Sequence, residues 1–163
     1  MTRIVTAVAL ASTILLAAGE ISFAQTAPAQ IVKERHEGME KLWPDYYRAM
    51  AQTVRSDKPD LALVAKNAAA AGEALKKLAT LFPPGTGRDK VPTTRAKPEV
   101  WTQRAEFEAT LKALMDETKK IGDDARSGSV EKVKADWTEL AKACGGCHGG
   151  PEKAGGKFRF EKT

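Results

Sequence analysis

Aromatic side chains are scarce in this 163-residue chain, at 6% of the total, and nowhere do apolar and polar residues alternate with period two over a useful length. The first scarcity excludes a basic strip interleaved with stacking aromatics, so no nucleic acid is expected as a partner. The second excludes half-buried β-strands. Cysteine is limited to two residues, which allows one disulfide at most and no disulfide scaffold. Charge of one sign is not concentrated anywhere. The net charge is +5, but lysines and arginines are interleaved with acids, as on a solvated helical surface. A mild positive face could still steer an acidic partner. Gly85-Thr86-Gly87-Arg88-Asp89-Lys90 lacks the full phosphate-loop spacing and has no strand before it, so nucleotide binding is not expected.

Long apolar runs are also missing after the first two dozen residues. At the start, Met1-Thr2-Arg3 gives a short positive region and Ile4 to Ala18 a run of about 15 mostly apolar residues. That run is short of the roughly 20 residues that span a bilayer. Ser22 and Ala24 place small residues where a signal peptidase reads. Residues 1–24 are therefore expected to be a secretory signal peptide, and residues 25–163 the mature, non-spanning domain. Removing them takes away Arg3 and Glu20, which leaves the charge balance unchanged.

Beyond this leader, four segments place apolar residues at steps of three and four. The first runs from about Ile31 to Val54, with Val32, Arg35, Met39, Leu42, Tyr46 and Met50 on one face and Pro44 inside it. Pro44 lacks an N–H and predicts a kink near Lys41 to Pro44. The second runs from about Pro59 to Phe82, with Leu61, Val64, Ala68, Ala71, Leu75, Leu78 and Phe82. Its Ala68-Ala69-Ala70-Ala71-Gly72 stretch has little bulk, suited to close packing by another helix or a flat ligand. Pro83 to Lys97 is too rich in proline and glycine to be helical. The third runs from about Pro98 to Ala125, with Phe107, Leu111, Leu114, Thr118 and Ile121. The fourth starts near Ser129, and Val130, Val133, Trp137, Leu140, Cys144 and Cys147 carry both cysteines along the apolar stripe toward the core. Short links make the first and second, and the third and fourth, antiparallel neighbours. The expected fold is all-α, an up-down-up-down four-helix bundle.

Cys144-Gly145-Gly146-Cys147-His148 carries the chemistry. Two thiols one helical turn apart match the two vinyl groups of a haem, and the adjacent imidazole can bind its iron. A thioredoxin-like dithiol wants the pair at the start of a helix after a strand, whereas here it ends a helix. Structural zinc needs four ligands, and His36 is the only other histidine. The expected cofactor is one covalent haem c, with Cys144 and Cys147 as thioethers and His148 as proximal ligand. Met39, Met50 and Met115, and less readily His36, are candidates for a second axial ligand, although methionines on a helical stripe also serve as core filling. Arg35 favours Met39. It lies four residues away on the same face and could take a haem propionate through its guanidinium. Its plainer alternative is an ion pair with a glutamate such as Glu34.

These residues resemble the class II c-type cytochromes, the cytochrome c′ family, and specifically its low-spin, methionine-ligated branch. The resemblance rests on Arg35-x-x-x-Met39, on Leu81-Phe82-Pro83-Pro84-Gly85-Thr86, on Thr94-Arg95-Ala96-Lys97-Pro98-Glu99-Val100-Trp101 with Phe107, and on the C-terminal haem motif. It implies a periplasmic protein with haem among the helices, a propionate at Arg35 and iron ligation by Met39. It also implies one-electron transfer to periplasmic redox partners through a six-coordinate haem. The alternative within the family is a five-coordinate haem that binds nitric oxide or carbon monoxide. No catalytic acid, base or substrate pocket is evident, and no enzyme activity is expected. Bundles of this family often pair through their first two helices, so the chain is expected as a monomer or homodimer. One departure stands out. The family's basic residue four positions after the histidine is Glu152 here, and Phe158-Arg159 follows later, as if a glycine-rich insertion over Gly149–Gly156 had displaced an aromatic–basic pair.

Overall fold

The computed structural model describes residues 26–149 and 155–160. The expected cleavage site after Ala24 and the departure at Glu152 lie outside the described residues. Four helical rods form the expected bundle. The first is α1 (Pro28–Lys41), a π-helical turn (Leu42–Tyr47) and α2 (Arg48–Val54). The second is α3 (Leu61–Ala79). The third is a single turn, α4 (Glu99–Thr102), followed by α5 (Arg104–Arg126), and the fourth is α6 (Val130–His148). Among the described residues the one isolated β pairing joins Ala96 to Arg159. No helix among them is long and apolar enough to cross a membrane.

Pro44 acts differently from the expected sharp kink. A regular helix would need an N–H at Pro44 and would press its ring on the preceding turn. Widening to π geometry absorbs the defect without breaking the rod. The wide turn carries one extra residue, so the buried face steps from Leu42 to Tyr47 rather than to Tyr46, and continues through Met50, Ala51 and Val54. The buried Tyr47 hydroxyl lies 2.9 Å from Thr118 Oγ1, and Thr118 donates back to Leu114 O at 2.7 Å. Tyr47 therefore donates, and this polar pair on the α5 stripe is satisfied. Burial pushes the Tyr47 phenol up to about 12.

The second and fourth rods start on side-chain caps. Asp60 accepts from Leu63 N at 2.9 Å and Ser129 from Lys132 N at 3.4 Å. Asp60, rather than Pro59 in the first turn, defines where α3 begins. On α6 the buried positions are Val133, Asp136 and Leu140, and buried Asp136 receives the Lys120 ammonium of α5. The third rod breaks at Gln103 (φ −119°, ψ 48°), inside the segment expected to be continuous. The single turn of α4 is aimed by its own contacts: Val100 is fully buried and the Trp101 indole donates to Pro83 O at 3.0 Å.

The alanine-rich stretch of α3 receives a helix rather than a flat ligand. A Cβ built on Gly122 of α5 would stand 3.0 Å from Ala68 Cβ. Leucine at Ala68, which is 2% exposed, must push the two helices apart. Ala68→Leu is expected to cost about 1–3 kcal/mol. Ala69→Leu, on the exposed face of the same helix, should stay within about 0.5 kcal/mol of the parent. Urea titration of both variants measures the contrast.

Candidate functional site

A cavity of about 330 Å³ opens between the first rod, the long connection, α5, the end of α6 and the C-terminal tail. Its wall includes Arg35, His36, Met39 and Trp43 from the first rod, Phe82 and Arg95 from the connection, Phe107, Cys147 and His148, and Phe158 and Arg159 from the tail. Four of the five sequence-predicted site residues thus meet at one cavity. Cys144 is the exception. It is exposed one turn before Cys147, and Cys147 is only half buried. The expected run of both thiols into the core is therefore corrected. Beyond Leu140 the helix still packs on the bundle through Ala143 and Cys147, but Cys144 faces outward, and Gly145 and Gly146 bring little bulk to cover it. A thiol at this rim is where the edge of a flat cofactor, rather than its centre, would be reached.

The two cysteines are unbridged. Burial, with Cys144 nearby, pushes the Cys147 thiol up to about 11. Redox-active dithiols need the opposite, a depressed thiol. His148 closes α6 and is half buried. Burial, then the charges of Arg159 and Arg95, hold its imidazole below its usual value. The ring is neutral at pH 7 and keeps a lone pair for a metal. The helix stops there because Gly149 takes φ +78°, left-handed space that a side chain rarely occupies.

Of the three candidate methionines, Met39 lines the cavity, while Met50 is fully buried in the bundle core and Met115 packs on α5 between the two apolar clusters. Met39 is half buried and packs against both clusters. His36 sits exposed at the mouth, 3.1 Å from Glu40.

Arg35 is 5% exposed, and it is paired with neither Glu34 nor any other carboxylate among the described residues. Its Nη1 donates to Leu81 O (3.0 Å) and Thr86 Oγ1 (3.2 Å); its Nη2 donates to Thr86 O (3.1 Å) and Thr94 Oγ1 (2.6 Å). The guanidinium also stands 4.6 Å from the centre of the Phe82 ring. Burial lowers Arg35 to about 10, so it remains a cation at pH 7. The connection from Thr80 to Pro98 is wrapped around this charge. Both terminal nitrogens are committed to that wrapping, which leaves the Nε–H for any further acceptor.

The tail returns to the cavity. Phe158 packs edge-on to Phe107 (5.4 Å, 75°), which itself meets Phe82 at 4.8 Å. Lys97 N donates to Phe158 O (3.0 Å), Phe160 N donates to Arg95 O (2.8 Å), and Lys97 Nζ donates to Gly156 O (2.7 Å). Arg159 thereby reaches the cavity wall beside His148. Sequence reasoning had marked Phe158-Arg159 as a displaced pair and left open whether Arg159 folds back to the haem or the tail is loose. It missed Arg95, whose Nε and Nη2 are buried without a partner among the described residues. Buried polar atoms are seldom left unpaired in native proteins. An unoccupied guanidinium beside a neutral imidazole and a half-buried thiol fits a flat, apolar group with an anionic edge.

A helical bundle whose last helix ends in C-x-x-C-H at such a cavity is a covalent-haem protein of the bundle type. Comparison with known proteins narrows this. The family model described as Cytochrome C′ matches residues 30–150. Cytochrome c′ of Alcaligenes xylosoxydans xylosoxydans is 30% identical over 127 residues, covering 74% of this chain and 91% of that protein. Cytochrome c′ of Rubrivivax gelatinosus is 29% identical over 121 residues, covering 74% and 92%. The crystal structure of the Rubrivivax protein superposes with a TM-score of 0.68 at 28% identity, over 82% of this chain and 98% of that one. A nitric oxide complex of a mutant of cytochrome c prime from Alcaligenes xylosoxidans gives 0.71 at 24% identity, over 85% and 99%, a likeness of fold. The chain belongs to the cytochrome c′ family. Its cofactor is the covalently bound haem c of that family.

Proposed function

We propose that the protein binds a diatomic gas, nitric oxide or carbon monoxide, at a haem held by Cys144 and Cys147 thioethers and the His148 imidazole. The haem would supply an iron with one axial position free of protein ligands. Membership of the cytochrome c′ family carries this reading, since Alcaligenes cytochrome c prime has been solved as mutants with nitric oxide and with carbon monoxide bound. In this chain Met39 serves as an apolar wall whose side chain is held by the two core clusters. Phe82, Phe107 and Phe158 keep water from the cavity. His148 is held neutral, ready to ligate. Arg35 would offer its Nε–H to a propionate while its terminal nitrogens hold the connection. The protein would act by binding rather than as an enzyme. It would work in the periplasm, as a monomer or homodimer, its oxidation state set by periplasmic redox partners.

One observation favours a second reading, one-electron transfer through a six-coordinate His148/Met39 haem. Met39 is the one of the three candidate methionines that lines the same cavity as His148. Met39→Ala separates the two. For gas binding, the parent is high-spin and the variant stays so. Carbon monoxide then associates about tenfold faster, because roughly 1.4 kcal/mol of steric barrier is removed. For electron transfer, the parent is low-spin and Met39→Ala turns it high-spin. Absorption spectra in both oxidation states and stopped-flow carbon monoxide binding measure this.

A further inference from the structure

We infer that Arg95 and Arg159 form a two-guanidinium clamp for the carboxylate edge of the haem. The inference rests on haem occupying the cavity and holds whichever molecule takes the second axial position.

Three observations lead there. Both side chains line the cavity that holds Cys147 and His148. Arg95 Nε and Nη2 are buried and have no acceptor among the described residues. Two cations at one wall repel each other, and the bridge from Ala96 to Arg159 holds these two close. A protein gains nothing from such an arrangement alone, because desolvated like charges cost free energy. The arrangement becomes favourable when an anion with several acceptor oxygens enters. Carboxylates suit guanidinium forks, which give two parallel N–H···O bonds.

Backbone pairing links the two positions. Phe160 N donates to Arg95 O, and Ala96 bridges to Arg159, so the connection and the tail present adjacent arginines from two short extended segments. The other charged groups around the cavity are otherwise engaged. Arg35 holds the connection through four hydrogen bonds, and His36 and Glu40 pair at the mouth. Lys97 donates to Gly156 O. Glu99 sits just after the connection with Oε2 buried and unpartnered, and no ion pair joins it to Arg95 within 4.0 Å. With the terminal nitrogens of Arg35 committed to the connection and only its Nε–H left over, Arg95 and Arg159 supply the free guanidinium forks for the anionic edge.

The test uses the holoprotein, with pyridine haemochrome assay first establishing haem content. Loss of haem from the parent would overturn the haem reading itself. With haem attached, Arg95→Gln and Arg159→Gln are each expected to shift the propionate bending band in the resonance Raman spectrum. Arg88→Gln serves as control, since Arg88 lies over Phe160 and outside the cavity wall. Each single variant should lower the ferrous-to-ferric ratio at a fixed poise by about threefold or more, since removing a nearby cation disfavours the reduced state. Arg95→Lys and Arg159→Lys keep the charge and lose the fork. They should shift the band with less than about twofold change in the ratio. Propionate bands that stay in place in all four cavity variants would overturn the clamp, whatever the ratio does.

Discussion

Arg35→Leu is expected to lower the unfolding free energy by about 3–4 kcal/mol. The guanidinium is the only donor to Leu81 O and Thr86 O recorded among the described residues, and it holds Thr94 Oγ1 at 2.6 Å. Leucine has similar bulk and matches the apolar face that Phe82 presents, so the loss isolates polar satisfaction from volume. Leu81 O and Thr86 O would lose their donor, at about 1–3 kcal/mol for each that finds no new partner, while Thr94 Oγ1 keeps the Ala96 N–H at 3.2 Å. Arg35→Lys should recover less than half of the loss, because a single ammonium cannot address acceptors on both sides of the fork. Urea denaturation of the holoproteins measures both. A loss below about 1 kcal/mol for Arg35→Leu would mean that the connection closes by itself and that the arginine merely fits into it.

Gly156→Ala is expected to unseat the C-terminal tail at a cost of about 2–3 kcal/mol. A Cβ there would stand 2.2 Å from Cys147 O, and 2.4 Å from both Gly149 N and His148 C. All three are backbone atoms at the end of the haem-bearing helix, so no rotamer change relieves the clash. The tail must lift. That exposes Phe158, now 3% exposed, and breaks its pairing with Lys97. Limited proteolysis should cut the variant near residue 156 while the parent resists. Circular dichroism in the haem absorption region should change with it. A variant as protease-resistant as the parent would show that the tail shifts without leaving.

Much of the bundle was legible because helices advertise themselves locally. The three-and-four stepping from Leu61 to Leu78 and from Phe107 to Ile121 needs no distant partner to be read. The misreadings share another origin. Tyr46 was assigned to the buried face in place of Tyr47 because a constant helical pitch was assumed across Pro44, and the wide turn adds a residue that no periodicity predicts. The break at Gln103 arises from contacts of Trp101 and Arg104 with the carbonyls of Pro83 and Phe82, outside the helix itself. At the site, Cys147, His148 and Met39 were legible from spacing and chemistry, and the motif also named Cys144, whose exposure it did not reveal. Arg35 was recognised as a cation on an apolar face. Its partners, 46 to 59 residues away, lie in a connection whose proline and glycine content says only that it is not helical. Arg95 shares that connection and had no signal of its own. The docking of Phe158 and Arg159 depends on a β-bridge to Ala96, which two residues of extended chain cannot announce.

The wide turn at Leu42–Tyr47 divides the first rod into two territories of mutational tolerance. Upstream of it, substitutions on the buried face strike the wall around the cofactor, where Val32, Arg35 and Met39 stand. Downstream, the same face belongs to Met50, Ala51 and Val54, which fill the bundle and do not line the cavity. Deleting one residue within the turn would restore a uniform pitch and keep both buried faces in register, because Leu42, Tyr47, Met50 and Val54 would then follow at steps of four, three and four. Deleting one residue in the regular turns of α1 would instead rotate the upstream part of the rod by about 100° and turn the cofactor wall away from the bundle. The wide turn thus makes a single-codon deletion in phase there and out of phase in the regular turns beside it.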